Sequence, residues 1–245
     1  MGYEPVIPHI ALICFIADPF DPPGHERFGG GHLFIFDLGR FLVQNGYRVT
    51  FFTRQNNAVK AAFEELGPLC SIHRLPVGPA EEIPPEFVGR LLDELSIAFE
   101  KIIEERKLEF AALHSHYWIA GEVVRRFCVT HPVRHIHSVL SLGRLKREKA
   151  EPRTASTALR DECEIRVFNS ADAVLTVCPS ERSDLQRLYP DVNLSKTLII
   201  PYGVDPHVFY PRPQSECDFV RRQTFGFAKG TGTTVRGSGN TDDTR

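Results

Sequence analysis

The chain has 245 residues, which suits one large α/β domain or two small ones. Its 42% hydrophobic and 24% charged content is that of an ordinary globular protein, with enough apolar mass for a core that needs no disulfide. A net charge of −2 supplies no basic field, which argues against a general nucleic-acid partner.

His9 to Ala17 is a short, almost wholly apolar run closed by Asp18-Pro19, the pattern of a strand buried on both faces. A Pro/Gly-rich loop, Asp18 to Gly31, follows. Leu33, Phe34, Phe36, Leu38, Phe41 and Leu42 then fall at helical spacing, and Gly46 is a suitable residue to end that helix. Tyr47 to Thr53 reads as a second strand, completing a βαβ unit. The alternation continues with a helix at Ala58–Leu66, a strand at Cys70–Leu75, a long amphipathic helix at Glu86–Arg106, a strand at Phe110–His114 and a helix at Ile119–Cys128. Val133–Val139 is a strand, Ser141–Arg153 a basic loop, and Ala155–Ser170 a helix. A strand at Ala173–Val177, a helix at Ser180–Leu188 and a strand at Thr197–Pro201 close the series. This order predicts a doubly wound, mostly parallel Rossmann-like sheet of about seven strands, with ligands taken at the carboxyl ends of the strands. From about Phe225 the chain is rich in Gly, Thr and Arg without a period, and 214–245 is expected to be a disordered tail.

The six cysteines (Cys14, Cys70, Cys128, Cys163, Cys178 and Cys217) are scattered with no C-x-x-C pair, which reads as buried thiols in a reducing compartment. The apolar run Ile10–Ala17 is too short to span a bilayer, and Met1–Pro8 has no basic leader. A cytoplasmic protein with no transmembrane segment is expected.

Gly29, Gly30 and Gly31 stand between the first strand and first helix, where free N–H groups and positive potential favour a phosphate or sugar hydroxyl; the plain alternative is a loop with unusual dihedrals. They do not form G-x-G-x-x-G, because Phe34 occupies the last position. His114 and His116 share one strand face and His135 and His137 repeat the pattern, yet no carboxylate or cysteine is placed to complete a metal shell, and no metal is expected. Tyr117 and Trp118 suit either sugar stacking or core packing. Arg160 and Glu164 share a helix face at i, i+4, as an ordinary surface pair or as a cation held to grip an anionic acceptor. Beside them Arg144, Lys146, Arg147 and Lys149 form a solvated basic face or a seat for a phosphate.

Taken in order, these segments resemble family-4 glycosyltransferases of the GT-B fold. GGGHLFIFDLGRFLVQNGYRVTFFTR (Gly29 to Arg54), HSHYW (His114 to Trp118), HSVLSLGRLK (His137 to Lys146), Arg160 to Asp172 and IPYGVDPHVFYP (Ile200 to Pro211) carry the likeness over residues 9–213. HSHYW in particular is similar to the subgroup holding the mycothiol-pathway inositol-phosphate glycosyltransferases and the sucrose-phosphate synthases. The resemblance implies the N-terminal, acceptor-side half of a retaining, metal-independent enzyme. Its co-substrate would be a nucleotide-diphosphate sugar, its acceptor a small sugar or polyol, and it would need no other cofactor. It places Gly29, Gly30 and Gly31 by the donor diphosphate and acceptor. Tyr117, Ser141, Arg160 and Lys146 would be acceptor-binding, with His116 and Glu164 in support. No catalytic residue is assigned.

The chain departs from the family pattern at Leu140, where a histidine is usual, and at Arg27-Phe28, where Asp-Thr/Ser is usual. Only a short segment follows Pro211, where the family continues into a donor-binding domain. The expectation is therefore a truncated chain lacking that domain and inactive alone. The alternatives are a non-catalytic sugar-binding remnant and a nucleotide-binding oxidoreductase of Rossmann type. The latter is weakened by the missing glycine fingerprint and by Thr53-Arg54 at the end of the second strand.

Overall fold

A computed structural model describes residues 7–21, 30–149, 154–206 and 210–211. It divides into two units, Met1–Tyr202 and Gly203–Arg245. The described residues of the second unit form no helix or strand. The expected disordered tail, 214–245, and Gly29 lie outside the described residues.

The first unit is an eight-stranded sheet: β1 (His9–Ile13), β2 (Arg48–Arg54), β3 (Phe63–Gly67), β4 (Cys70–Leu75), β5 (Ala112–His116), β6 (Arg134–Ser138), β7 (Ala173–Thr176) and β8 (Thr197–Ile199). Their spatial order is β3-β4-β2-β1-β5-β6-β7-β8. Every pair is parallel except β3–β4. The helices are α1 (Gly30–Gln44), α2 (Pro85–Val88), α3 (Leu92–Arg106), α4 (Tyr117–Phe127), α5 (Gly143–Lys149), α6 (Ala155–Ser170) and α7 (Pro179–Leu188). The chain winds outward from β1 to β2 and β4, then returns to the other side of β1 with β5. The winding therefore reverses between β1 and β5, and in such sheets that is where a ligand crevice opens.

β1 is buried on both faces, as its unbroken apolar run requires. Leu12 and Cys14 join Ile35, Val49, Phe51 and Ile72 beneath α1. Ala11, Ile13 and Phe15 join Phe52, Phe99, Leu113 and Val123 beneath α3 and α4. α4 is covered almost all round, which is why its sequence carries so few exposed polar positions.

Three expectations are corrected. The helix expected at Ala58–Leu66 is a turn followed by β3, so the sheet has eight strands and an antiparallel edge. The helix-forming residues are overruled by tertiary contacts. Buried Arg74 draws on the Ala61 carbonyl at 2.9 Å and the Glu64 carboxylate at 3.1 Å, and the Phe63 ring lies 4.7 Å from that of His73. The long helix at Glu86–Arg106 is broken by a 3₁₀ turn, Gly89–Leu91, where Trp118 packs so close that a Cβ on Gly89 would lie 2.7 Å from its ring. The basic loop after β6 contains α5.

α3 ends on Lys107, whose φ of 51° lies in the left-handed region. An L side chain there costs about 1–2 kcal/mol, and the looser unfolded chain of a glycine returns part of that. Lys107→Gly is therefore expected to raise stability by about 0.5–1 kcal/mol, read as a higher urea midpoint at unchanged slope.

Candidate functional site

β5 runs into α4 with no intervening residue. The turn is made by Tyr117, whose φ of 71° is left-handed. Such a conformation in a bulky residue costs roughly 1–2 kcal/mol and persists only where neighbours enforce it. Here Arg160 of α6 does so. Its guanidinium carbon sits 5.0 Å from the centre of the Tyr117 ring, and Nη1 donates to the Tyr117 hydroxyl at 3.2 Å. Nη2 donates to the Ser141 carbonyl at 2.8 Å and to Ser141 Oγ at 2.9 Å, and Nε donates to Glu164 at 2.7 Å. One buried guanidinium thus joins the end of β5, the loop after β6 and α6.

Glu164 is itself enclosed. Its carboxylate accepts from the Gly143 N–H at 3.1 Å and from the Tyr189 hydroxyl as well as from Arg160. Burial pushes the Glu164 carboxyl up in spite of these donors, and pushes the Tyr189 phenol up so that it stays a donor. Gly143 is glycine for a packing reason: a Cβ there would lie 2.8 Å from Arg160 Nε and 3.0 Å from Glu164 Oε2. Gly143→Ala is expected to pry the pair apart and cost about 1–3 kcal/mol, checked by chemical unfolding.

α1 begins at Gly30 across the reversal point. Its described glycines occupy helical positions without positive φ, so unusual dihedrals do not explain them. Gly31 serves close approach, since a Cβ would lie 3.3 Å from Leu140, the residue before Ser141. The structure thus brings Gly31, Leu140, Ser141, Tyr117, Arg160 and Glu164 into one continuous group. On the β1 side this group is flanked by aromatic contacts that sequence reading missed. Phe34 stacks on Tyr202 at 4.1 Å and meets the edge of His116 at 6.0 Å. Their sequence signal was the tyrosine of the IPYGVDP segment.

The two histidine pairs lie on opposite faces of the sheet. Because Ser115 pairs with His137 and His114 with Ile136, His114 and His116 face α1 while His135 and His137 face α4. Ser115 Oγ bonds His135 at 2.7 Å and His137 at 2.8 Å, and His114 bonds Ser138 at 2.8 Å. Burial holds all four imidazoles neutral, lowering His114 to about 3 and His135 to about 4. His116 is fully buried, and among the described residues neither ring nitrogen has a hydrogen-bond partner. Among the described residues the cluster whose ligand atoms approach within 4.8 Å is Glu100, Glu104 and His131, carried by the second half of α3 and the segment after α4, and it includes none of these four histidines.

Of the basic segment, Arg144 stacks on Tyr189 and Arg147 pairs with Asp161. Lys146 is exposed on α5 and makes no side-chain hydrogen bond with the Tyr117–Ser141–Arg160 group. The described segment after β1 is anchored by Asp18, another feature invisible in sequence. Arg74 Nε at 2.6 Å and Lys60 at 2.7 Å both reach its buried carboxylate. Burial opposes ionisation of Asp18, but these donors outweigh it and hold the carboxyl below its usual range.

Comparison with known proteins places this arrangement. Residues 29–203 match the Glycosyl transferase 4-like domain. The chain is 27% identical over 209 residues to a D-inositol 3-phosphate glycosyltransferase of Paenarthrobacter aurescens, covering 82% of this chain and 50% of the relative. It is 30% identical over 235 residues to a mannosylfructose-phosphate synthase of Agrobacterium fabrum, covering 90% and 50%. A sucrose-phosphate synthase structure from Thermosynechococcus elongatus superposes with a TM-score of 0.77 at 28% identity, covering 87% of this chain and 52% of that one. The chain spans about half the length of these relatives. Among the described residues no helix is long and apolar enough to cross a membrane. With a GT-B-type sheet and a match over more than half its length, the chain belongs to the Glycosyl transferase 4-like domain family.

Proposed function

We propose that residues 9–213 are the acceptor-side domain of a retaining glycosyltransferase that moves a sugar from a nucleotide-diphosphate sugar to a small polar acceptor. The observation that carries this is the gathering of Gly31, Tyr117, Ser141 and Arg160 at the strand ends where the winding reverses. Relatives named for inositol phosphate, mannosylfructose phosphate and sucrose phosphate favour a phosphorylated sugar or polyol as the acceptor class.

In this reading Arg160 is chiefly a positioning group. Among the described residues, four bonds to protein acceptors leave one of its five N–H donors without a partner. It aims the Tyr117 and Ser141 hydroxyls at the acceptor and supplies fixed positive charge. The first N–H groups of α1 face developing negative charge on the donor diphosphate. Lys146 is an acceptor contact only if it reaches over from α5. The nucleotide is held by a second domain, whose closure excludes water, so the 245-residue chain binds acceptor without turnover. The free thiols of Cys14, Cys70, Cys128, Cys163 and Cys178 support a cytoplasmic setting.

Calorimetric titration of the purified chain tests this. D-inositol 3-phosphate or a comparable phosphorylated polyol is expected to bind, while UDP-sugars, GDP-sugars and NAD give little heat. Tyr117→Phe and Ser141→Ala should each weaken acceptor binding by about 1 kcal/mol, near fivefold. Tight NAD binding, or turnover of a nucleotide sugar by the chain alone, would refute the reading.

A further inference from the structure

A separate concavity lies at the opposite end of the sheet, where β1, β2 and β4 begin. A cavity of about 710 Å³ opens there, within the size range of small-molecule sites. α3 covers this face through Phe99 and Ile103 and stops at Arg106, which lines the cavity. The floor is polar: His9 Nε2 meets Thr50 Oγ1 at 2.8 Å, and Thr50 Oγ1 meets Ser71 Oγ at 3.0 Å. One wall is the Phe63 ring, with the Arg106 guanidinium 5.0 Å from its centre. Arg48, the first residue of β2, stands at the rim.

Among the described residues neither the Arg48 nor the Arg106 guanidinium has a carboxylate or hydrogen-bond partner, and Glu65 is the one acid on the lining. Their field is felt locally. Burial, aided by Arg48, lowers His9 to about 4, and burial, aided by Arg106, lowers His73 to about 4. At neutral pH the cavity therefore holds two fixed cations over a neutral floor of hydroxyls and imidazole. A solvated notch of surface arginines is the plain alternative. Against it, the cations come from two separate elements and line one cavity together with a bonded hydroxyl row and an aromatic face.

We propose that this cavity is a second small-molecule site, separate from the cleft, that takes a sugar phosphate. The phosphate binds between Arg48 and Arg106, where charge-assisted bonds from planar guanidinium groups are strongest. The sugar hydroxyls meet Thr50 and Ser71, and the apolar face of the sugar lies on Phe63. The site does not depend on the function proposed above, because it shares no residue with the cleft.

The test is calorimetric titration of the full chain with glucose 6-phosphate, with glucose and inorganic phosphate as separate probes, repeated on Arg48→Ala and Arg106→Ala. Both arginines lie at the rim, so these variants should fold. Glucose 6-phosphate binding is expected to weaken about tenfold in each variant, and glucose alone to bind at least about tenfold more weakly than its phosphate. Cleft binding of the acceptor probe should survive both substitutions. Affinity unchanged in both variants, or no heat up to about 10 mM ligand, overturns the proposal. Inorganic phosphate binding as tightly as the sugar phosphate overturns the sugar assignment.

Discussion

Glu164→Ala is expected to remove about 3–5 kcal/mol of folding stability, the usual cost of stripping one partner from a buried ion pair. The Glu164 side chain is 1% exposed and that of Arg160 8%, so water cannot replace the lost carboxylate without structural change. The alanine variant strands the Gly143 N–H and the Tyr189 hydroxyl as well as Arg160 Nε. Of the whole domain's stability, about 5–15 kcal/mol, this is a large share. Glu164→Gln keeps an acceptor oxygen of the same shape and should lose less. The pair Arg160→Met with Glu164→Leu should recover much of the loss, because two apolar side chains leave no unpaired charge. Urea unfolding measures each. A loss below about 1 kcal/mol for Glu164→Ala would mean that the pair is screened like a surface bridge, and that it does not fix Tyr117 and Ser141.

The same residues show what a sequence can and cannot carry. Spacing at i, i+4 put Arg160 and Glu164 on one helix face, because that relation is local. Their enclosure by Tyr189 and Gly143 arises from α7 and the loop after β6, partners that only the packed sheet brings near. The first βαβ unit was legible because β1 is a bounded apolar run and α1 has a clear period. β3 was not, because its residues favour helix and are held extended by Arg74 and His73. Alternation along each strand was read correctly for the histidines, but the relative phase of β5 and β6 is a matter of register, which a single strand does not encode. That phase sends the two pairs to opposite faces. Tyr117, by contrast, is placed by the strand-to-helix turn and not by the histidines before it.

The histidines set a second large effect. Stability is expected to fall steeply between pH 7 and pH 5. Unfolded imidazoles have a pKa near 6.5, whereas burial holds folded His114 to about 3 and His135 to about 4. The unfolded chain therefore binds protons that the folded chain refuses. Their contribution is complete above about pH 6.5 and is lost as pH falls toward the folded values. Each such group removes about 1.4 kcal/mol per pH unit, so these two alone account for about 4 kcal/mol by pH 5. His116 and His137, lowered further by burial and by their imidazole neighbours, act in the same direction. Glu164 and Glu181, whose carboxyls burial raises, act oppositely, since the folded chain takes those protons first. Two carboxyls do not offset these imidazoles, to which His9, His32 and His73, also lowered by burial, add in the same direction. Asp18 and Glu122 have lowered pKa values, so their losses set in only as pH falls through the unfolded carboxyl values of 3.8 and 4.5, and they leave most of the window to the histidines. Urea unfolding at pH 7.5, 6 and 5 reads the slope directly. His135→Asn, which can still bond Ser115, should flatten it by close to one proton's worth. A stability that stays level from pH 7 to pH 5 would mean that the imidazoles reach water in solution, and that the β5–β6 ridge beneath the cleft is not the rigid base that Tyr117 needs.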